Sequence, residues 1–232
     1  MSLLGVIGGM GVQTTARFYN MLTQLQTVTN EQQYIDILVY SKSSTPDRTA
    51  FITGKSNISP LDSLIHAAKT LEQVGATHLV MPCVTAHYFY NKLNRAVSIP
   101  FINIVRETAK HVKKCGLSKV GLLATSGTIQ GGFLQKTFDI YEIEVVLPNK
   151  KVQGYLMRTI YNLKQGKPPE NALKTLSENI DAEAIILGCT ELGLLEKPKG
   201  YEYIEAMEIL ARAAIKEVKR EKHTRISGTH SN

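Results

Sequence analysis

The sequence has few cysteines, no long apolar run and no metal-binding spacing. Its three cysteines, at positions 83, 115 and 189, are too few and too far apart for a disulfide framework, which favours a reducing cytoplasm. The absence of any run of 18 apolar residues excludes a transmembrane helix, and the first residues lack the basic start of a signal peptide. Neither a CxxC pair nor histidines at ligand spacing occur, so no metal site is expected.

The net charge of +7 does not indicate a nucleic-acid-binding protein. Four basic residues and one acidic residue in segment 219–232 account for +3 of it. The rest of the chain has no cluster of Lys and Arg interleaved with aromatic residues and no RNA- or DNA-binding signature. We therefore expect a solvated, disordered basic tail at 223–232, and neither nucleic acid nor a membrane as partner.

Short apolar strands alternate with helical patterns along the chain. Segment 3–8 (LLGVIG) predicts a buried strand that runs into a glycine turn, and a helix follows from about Val12. Segments 34–40 (YIDILVY) and 77–81 (THLVM) predict two further strands. Continuous apolar strands separated by helices are typical of parallel sheets covered on both faces, so the predicted fold class is α/β.

The segment before the third strand predicts a long loop and then a helix. Residues 41–58 are polar, with several serines, and loops of this length are often functional. Residues 60–74 have apolar side chains at spacings of three and four, which predicts one buried helix face. Ser59 is the expected N-cap and Gly75 the expected C-cap of this helix.

An internal repeat divides the chain into two similar halves. Segment 4–11 aligns with 120–127, each an apolar strand that enters a glycine-containing turn. Segment 75–83 aligns with 181–189, and each ends its strand on a cysteine with a threonine close behind.

The repeat predicts two Rossmann-like domains with parallel sheets, related by a pseudo-twofold axis and with the active site in the cleft between them. The expected boundaries are 1–97 and 98–207, with the final helix 204–222 packing back on the first domain.

Cys83 and Cys189 are the main candidates for chemistry. Ligands of open α/β sheets bind beyond the carboxyl ends of the strands, where both cysteines are expected. An isolated free cysteine is usually a small buried apolar residue. Two cysteines at matching positions of a repeat instead suit a reaction that needs similar groups on opposite faces of one small molecule. Cys115 has no counterpart in the repeat and is expected to be inert.

Three segments resemble the signatures of the aspartate/glutamate racemase superfamily, above all those of its aspartate racemases. They are 8–11 (GGMG), 82–87 (PCVTAH) and 188–192 (GCTEL). The resemblance implies a cofactor-independent racemase of two Rossmann-like domains, commonly a homodimer. It also implies one catalytic cysteine per domain and a small acidic amino acid, aspartate first, as substrate.

Two-base chemistry is consistent with that implication. One base removes the Cα proton, and an acid returns a proton to the opposite face. Cysteine suits both roles because a modest change of environment brings its pKa towards neutrality. The carbanion-like transition state also needs preorganised donors for the substrate carboxylates.

The resemblance and this chemistry suggest a set of supporting residues. Arg48, in the motif TPDRT, can hold a carboxylate through two hydrogen bonds, and Lys164 matches the family's second cation. Glu191 either tunes Cys189 or caps a helix, and His87 is expected to orient a helix terminus rather than to transfer protons. The remaining substrate-binding candidates are Met10, Thr85, Thr125, Thr128 and Thr190.

The chain departs from the family pattern at three positions. Val84 follows the first cysteine where the family usually has Asn, so a side-chain amide is lost there. Val12 replaces the usual Pro after the glycine turn, and Phe133 replaces a common Tyr. The Val84 change bears on substrate preference and turnover, and leaves the two-base geometry intact.

Other readings remain to be tested. The segment 9–14 lacks the third glycine of a dinucleotide fingerprint, and no lysine has a pyridoxal-phosphate context, so no cofactor is expected. The same scaffold could support maleate cis–trans isomerisation or hydantoin racemisation. A chain that has lost turnover could also act only as a binding module for acidic ligands.

Overall fold

The computed structural model describes residues 2–167, 172–178 and 180–228, and its first half is a parallel sheet. Strands β1 (Leu3–Gly8), β2 (Asp36–Ser41) and β3 (His78–Val80) lie in the order β2-β1-β3. Residues 100–102 extend this sheet, because Phe101 pairs in parallel with Leu79 of β3. The first sheet therefore continues beyond the expected boundary at residue 97, and the division into domains stays a proposal.

The second half repeats this arrangement. Strands β4 (Lys119–Leu123), β5 (Glu144–Val146), β6 (Ala184–Leu187) and β7 (Tyr203–Glu205) are all parallel and lie in the order β5-β4-β6-β7. Strands β4 and β6 thus take the places that β1 and β3 have in the first sheet. The predicted α/β fold with two similar halves is confirmed.

Helices cover the sheets, and three short 3-10 helices connect the elements. The 3-10 helices are Glu31–Gln33, Thr85–Phe89 and Thr190–Leu194. The α-helices are α1 (Val12–Gln24), α2 (Arg48–Ile52), α3 (Leu61–Gln73), α4 (Tyr90–Asn94), α5 (Ile104–Lys114), α6 (Ser126–Gly131), α7 (Phe133–Ile140), α8 (Lys150–Lys164), α9 (Leu173–Ser177) and α10 (Ala206–Gly228). The helix predicted at 60–74 is α3, but its N-cap is Pro60 and its C-cap Val74 rather than the expected Ser59 and Gly75. The hydroxyl of Ser59 still accepts the backbone N–H of Leu61. Among the residues that the structure describes, no helix is long and apolar enough to cross a membrane.

Side chains along each strand alternate between the two faces of the sheet, and this divides the core into a shared centre and two outer layers. In β1, Leu4 belongs to the central cluster, and Ile7 packs in the outer layer of the first half. In β6, Ile186 points to the same centre and Leu187 to the outer layer of the second half. Side chains of α10 such as Leu210 complete the centre. The central cluster therefore joins the halves and fixes the strand ends that carry the site.

The loop predicted at 41–58 is partly helical. Helix α2 begins directly after Asp47, whose side chain caps it by accepting the backbone N–H of Ala50 at 2.8 Å. The proline and serines of this segment indicated a loop, but an Asp after a Pro is also a strong helix start. Arg48 therefore lies on a capped helix and is buried, which the sequence analysis did not predict.

The C-terminal segment also differs from the expectation. Residues 203–205 form β7, and α10 runs from residue 206 to 228, so the helix predicted at 204–222 starts later and continues into the expected tail. A polar composition does not end a helix when it is rich in Lys, Arg and Glu, which have high helix propensity. The ion pair between Arg220 and Glu217, at 2.7 Å, is one example along this helix. Residues 229–232 of the predicted tail lie outside the described residues.

Candidate active site

Cys83 and Cys189 occupy matching places in the two halves. Cys83 follows β3 and Cys189 follows β6, the third strand of each sheet. Both thiols are free, and the residues are 6% and 5% exposed. Cys115 is exposed at the end of α5. The fold therefore places two buried nucleophilic groups at the strand ends where ligands of open α/β sheets bind.

Cys189 is held as a thiol by its neighbours. Its Sγ donates a hydrogen bond to Glu191 Oε2 at 2.9 Å. Burial raises the pKa of Cys189 well above its ordinary value, and the negative charge of Glu191 raises it further, whereas Lys164 lowers it. A charge on Cys83 also raises the pKa of Cys189, so the two sulfurs are within electrostatic reach of each other. Cys189 is therefore suited to act as an acid.

Lys164 brings a positive charge to the same place from α8. Its Nζ lies 3.8 Å from Glu191 Oε1. Burial lowers the pKa of Lys164, but the charges of Glu191 and of both cysteines outweigh this and raise it above the ordinary value. The ammonium is thus retained at neutral pH and can balance negative charge at Glu191, at a thiolate or at a bound carboxylate.

Cys83 is fixed by His87, which bridges it to α5. The imidazole Nε2 accepts the backbone N–H of Ile104, the first residue of α5, at 3.3 Å. A backbone N–H can only donate, so the proton of the neutral ring lies on Nδ1, which donates to the carbonyl of Cys83 at 2.9 Å. Burial lowers the pKa of His87 to about 4. His87 is a neutral connector between the cysteine backbone and a helix N-terminus.

The burial of His87 predicts a loss of stability in mild acid. The unfolded chain binds this proton near pH 6.5 and the folded chain only near pH 4, so the unfolded state gains protons as the pH falls through that window. We expect wild-type protein to lose about 2–3 kcal/mol of unfolding free energy from this group between pH 7 and 4.5. Urea unfolding at several pH values measures it.

The matched variants for this prediction are His87→Asn and His66→Asn. His66 is exposed on α3, so its replacement should leave the slope of stability against pH as in wild type. His87→Asn should be less stable at pH 7 and should flatten the slope between pH 4.5 and 6.5. An unchanged slope in His87→Asn would assign the acid sensitivity to other groups.

Three threonine hydroxyls from both halves meet in a buried triangle. Thr85 Oγ1 lies 2.8 Å from Thr125 Oγ1 and 3.0 Å from Thr128 Oγ1, and the last two are 3.2 Å apart. Thr125 also caps α6 by accepting the N–H of Thr128. Each hydroxyl has one proton and can rotate, so the triangle can turn its donors towards a carboxylate. Thr190, near Cys189, donates instead to Glu191 Oε2 at 3.4 Å.

Arg48 presents one edge of its guanidinium without a partner. Its Nη1 donates to the carbonyls of Thr45 and Pro46 at 3.2 and 3.0 Å, which fixes the plane of the group. Its Nε is buried and has no hydrogen-bond partner among the residues that the structure describes. Unpaired buried donors are costly, so this edge indicates a place for an acceptor that the chain does not supply.

Asp47 and Tyr161 connect the two halves next to this arginine. The Tyr161 hydroxyl, on α8, donates to Asp47 Oδ2 at 3.0 Å. Although burial raises the pKa of Asp47, its hydrogen bonds from Ala50 and Tyr161 lower it below the ordinary value. Burial, with the charge of Asp47, raises the pKa of Tyr161 to about 12. The sequence analysis missed both residues, although Asp47 precedes Arg48 and Tyr161 lies one helical turn before Lys164.

The glycine turn after β1 brings the backbone close to the site. Gly9 has φ +87°, and a Cβ there would lie 2.4 Å from the carbonyl carbon of Lys42, so only glycine fits. At Gly11 a Cβ would lie 3.3 Å from Glu191 Oε1. Met10 is buried in the same apolar cluster as Cys83. The turn therefore contacts the surroundings of both cysteines.

Two further points concern groups next to the site. Val84, where the family usually has Asn, is buried and packs in the central cluster, whereas Cys83 belongs to the outer one. Within the described ranges, no group of three or more His, Cys, Asp or Glu side chains is arranged to hold a metal ion.

Known proteins resemble this chain over most of its length. Broad specificity amino-acid racemase RacX from Bacillus subtilis (strain 168) is 28% identical over 204 residues, which cover 82% of this chain and 86% of the relative. The structure of the Picrophilus torridus aspartate racemase matches with a TM-score of 0.80 and 27% identity, over 94% of this chain and 95% of that one.

A second solved structure, an aspartate racemase homologue from Pyrococcus horikoshii OT3, has a TM-score of 0.74 and 29% identity. It covers 94% of this chain and 100% of that one. Residues 7–214 match the Asp/Glu/Hydantoin racemase family, a span that includes both glycine turns and both strand-end cysteines. The chain therefore belongs to the Asp/Glu/hydantoin racemase family.

Proposed function

We propose that this protein is a cofactor-independent amino-acid racemase that interconverts L- and D-aspartate by a two-base mechanism. The observation that carries the proposal is the pair of buried cysteines at equivalent strand ends, one of which is held as a thiol by a carboxylate. Two groups fixed on opposite faces of Cα can exchange a proton without crossing the substrate. A racemase needs this, because both enantiomers must react in one site.

The unequal surroundings of the cysteines assign their starting roles. Cys189 donates to Glu191 and has a strongly raised pKa, so it starts as the acid. In the described part of the chain, no carboxylate is hydrogen-bonded to the Cys83 thiol, so we assign Cys83 the role of the first base. Cys83 removes the Cα proton of the enantiomer that it faces, and Cys189 delivers a proton to the other face. The reverse reaction uses the same groups in exchanged roles.

Arg48 and the threonines are proposed to hold the two carboxylates of the substrate. The unpartnered Nε edge of Arg48 suits the side-chain carboxylate, which a fixed guanidinium binds through two parallel hydrogen bonds. The hydroxyls of Thr85, Thr125 and Thr128 can donate to the α-carboxylate, where negative charge grows as Cα is deprotonated. Lys164 supplies the compensating positive charge, and Met10 and Thr190 are expected to line the site.

Two features of this proposal stay predictions. A homodimer is expected from the resemblance. A substrate range that includes glutamate or further amino acids is also expected, in line with RacX, whose name describes broad specificity.

Pure enantiomers of a panel of amino acids, incubated without added cofactor and followed by chiral chromatography, test the proposal. We expect D-aspartate to form from L-aspartate, with deuterium entering at Cα in heavy water. Maleate is incubated in parallel, and its consumption without racemisation of any amino acid would identify an isomerase. A shift in melting temperature with aspartate but no Cα exchange for any amino acid would identify a binding module and refute the racemase.

A further inference from the structure

The two oxygens of the Glu191 carboxylate differ, because one accepts hydrogen bonds and the other has only the Lys164 ammonium nearby. Glu191 is 2% exposed, and its Oε2 accepts hydrogen bonds from Cys189 and Thr190. Its Oε1 is buried and has no hydrogen-bond partner among the residues that the structure describes. A buried carboxylate oxygen is rarely left without a hydrogen bond, because its lost hydration is then not replaced. The missing hydrogen bond at Oε1 indicates a small polar ligand beside it.

A cavity of about 10 Å³ lies next to this oxygen, which is about the space that one water molecule needs. Gly11, Thr14, Lys164 and Glu191 are among the residues that line it. Lys164 Nζ is 3.8 Å from Glu191 Oε1, too far for a direct hydrogen bond but suited to a bridging water. The absence of a Cβ at Gly11 keeps this space open, because a Cβ would lie 3.3 Å from the oxygen.

The cavity also borders solvent. Val12 and Gln13 line its other side, and both are exposed, Val12 at 55%. A water here would have up to three polar neighbours, the Glu191 oxygen, the Lys164 ammonium and the Thr14 hydroxyl. That number satisfies a buried water, and the exposed residues Val12 and Gln13 place the cavity beside solvent at the first turn of α1.

The proposed racemisation creates a need for such a connection, and the inference rests on that function. After Cys189 has given its proton to Cα, its thiolate faces the Glu191 carboxylate in a buried place. Like charges this close are strongly unfavourable. Cys83 meanwhile holds the proton taken from the substrate. The enzyme can then accept only the product again, until Cys189 regains a proton and Cys83 loses one.

We propose that Glu191 and one water molecule in this cavity carry protons between solvent and Cys189, and so restore the Cys189 thiol after each turnover, while Cys83 returns its proton to solvent. The water passes a proton from solvent to Glu191 Oε1, and the resulting carboxylic acid rotates about its terminal bond. The O–H bond then breaks as the S–H bond of Cys189 forms. At Cys189 one solvent hydronium is consumed, one water and one thiol result, and the carboxylate is regenerated. The proton that Cys83 loses returns to solvent as a hydronium, so no net proton is consumed over a complete turnover.

Two variants interrupt this route at different atoms. Gly11→Ala places a methyl group in the cavity, 3.3 Å from Oε1, so the Glu191 side chain must give by a few tenths of an ångström while both cysteines are unchanged. The φ of −101° at this position suits alanine. Glu191→Gln removes the group that accepts the proton. Gly154→Ala is the control for a glycine-to-alanine change. It lies in α8, and its Cβ would meet only Arg158 Nη1, at 3.9 Å.

The readout is the ratio of two rates measured on the same protein. Net racemisation of pure L-aspartate at saturation requires the resting state to be restored in every turnover. Exchange of radiolabel between the enantiomers in a racemic mixture does not, because the enzyme left by one enantiomer can react with the other. We expect net racemisation to fall by about 10²-fold in Gly11→Ala, with label exchange retained. Glu191→Gln also changes the surroundings of the Cys189 thiol, so both rates should fall there, net racemisation by the larger factor. Gly154→Ala should keep both rates.

A proportional fall of both rates in the two variants would overturn the relay, because damage to the site lowers both together. Wild-type net racemisation in either variant would overturn it as well. Circular dichroism checks that each variant is folded, and Glu191→Gln carries the test if Gly11→Ala is not. Failure of the relay leaves racemisation by the wild-type protein intact, whereas failure of the proposed function removes it for every amino acid.

Discussion

Replacement of either Cys83 or Cys189 by serine is expected to abolish net racemisation. Each variant should still exchange the Cα proton of one enantiomer, and the enantiomer should differ between the two variants. A positioned acid or base contributes about 10²–10⁴-fold to a rate, and each net turnover needs both sulfurs. Serine keeps the size of the side chain but is a much weaker acid and a poor base near neutral pH. Cα exchange in heavy water, followed separately for L- and D-aspartate, measures the remaining activity.

The two variants should fail differently because the cysteines are not equivalent. Cys189→Ser keeps Cys83 and should exchange the Cα proton of the enantiomer that Cys83 faces. Cys83→Ser keeps Cys189 and should exchange the other enantiomer more slowly, because burial and the charge of Glu191 raise the pKa of that thiol. Cys115→Ser changes an exposed cysteine outside the site and is the matched control.

Two outcomes would contradict independent bases. Loss of all exchange in both variants would mean that neither sulfur removes a proton without the other. Full racemisation by Cys83→Ser or by Cys189→Ser would remove that cysteine from the mechanism. Both conclusions require that the Cys115→Ser control keeps the wild-type rates.

Replacement of Arg48 by leucine is expected to select against acidic substrates. The guanidinium is fixed by two backbone carbonyls, and its Nε is buried without a partner. Loss of a charge-assisted pair costs about 2–3 kcal/mol, or roughly 30- to 150-fold in kcat/KM for aspartate. A neutral amino acid such as alanine should lose much less, because its side chain makes no such pair.

Arg158→Leu is the control for this change. Arg158 lies on α8, is exposed, and has its guanidinium 5.9 Å from the ring centre of Tyr155. Loss of Arg158 should change kcat/KM only slightly, and by the same factor for aspartate and alanine. An equal, large loss for both amino acids in Arg48→Leu would assign Arg48 to the α-carboxylate or to the structure of α2.

The strands and the cysteines could be predicted from the sequence because their signals are local. An apolar strand that ends in glycines, or in a cysteine, has the same pattern wherever it is placed, and the repeat supplied a second copy of each. The bond between Asp47 and Tyr161 could not be predicted in this way. It joins residues 114 positions apart, and its existence depends on how α2 and α8 pack.

The role of Glu191 could be predicted from the sequence only in part. The sequence analysis could name it as a residue that tunes Cys189, because the two are adjacent to Thr190. The structure shows that Oε2 binds the thiol and that Oε1 lies beside Gly11 without a hydrogen bond. Both facts depend on how residues 8–11 pack against residues 188–192, which the sequence does not show. Helix α2 was missed for a similar reason, since its short cap is indistinguishable from a turn until its burial is known.

A crystal structure with aspartate bound tests the central claim most directly, through the two Sγ–Cα distances. Two bases that act on one carbon should each lie about 3–3.5 Å from Cα, on opposite faces, with the sulfurs of Cys83 and Cys189 about 7–9 Å apart. Arg48 should meet the side-chain carboxylate. Sulfurs on the same face of the substrate, or beyond about 15 Å from each other in every conformation, are too far or too badly placed for this transfer and would contradict the account.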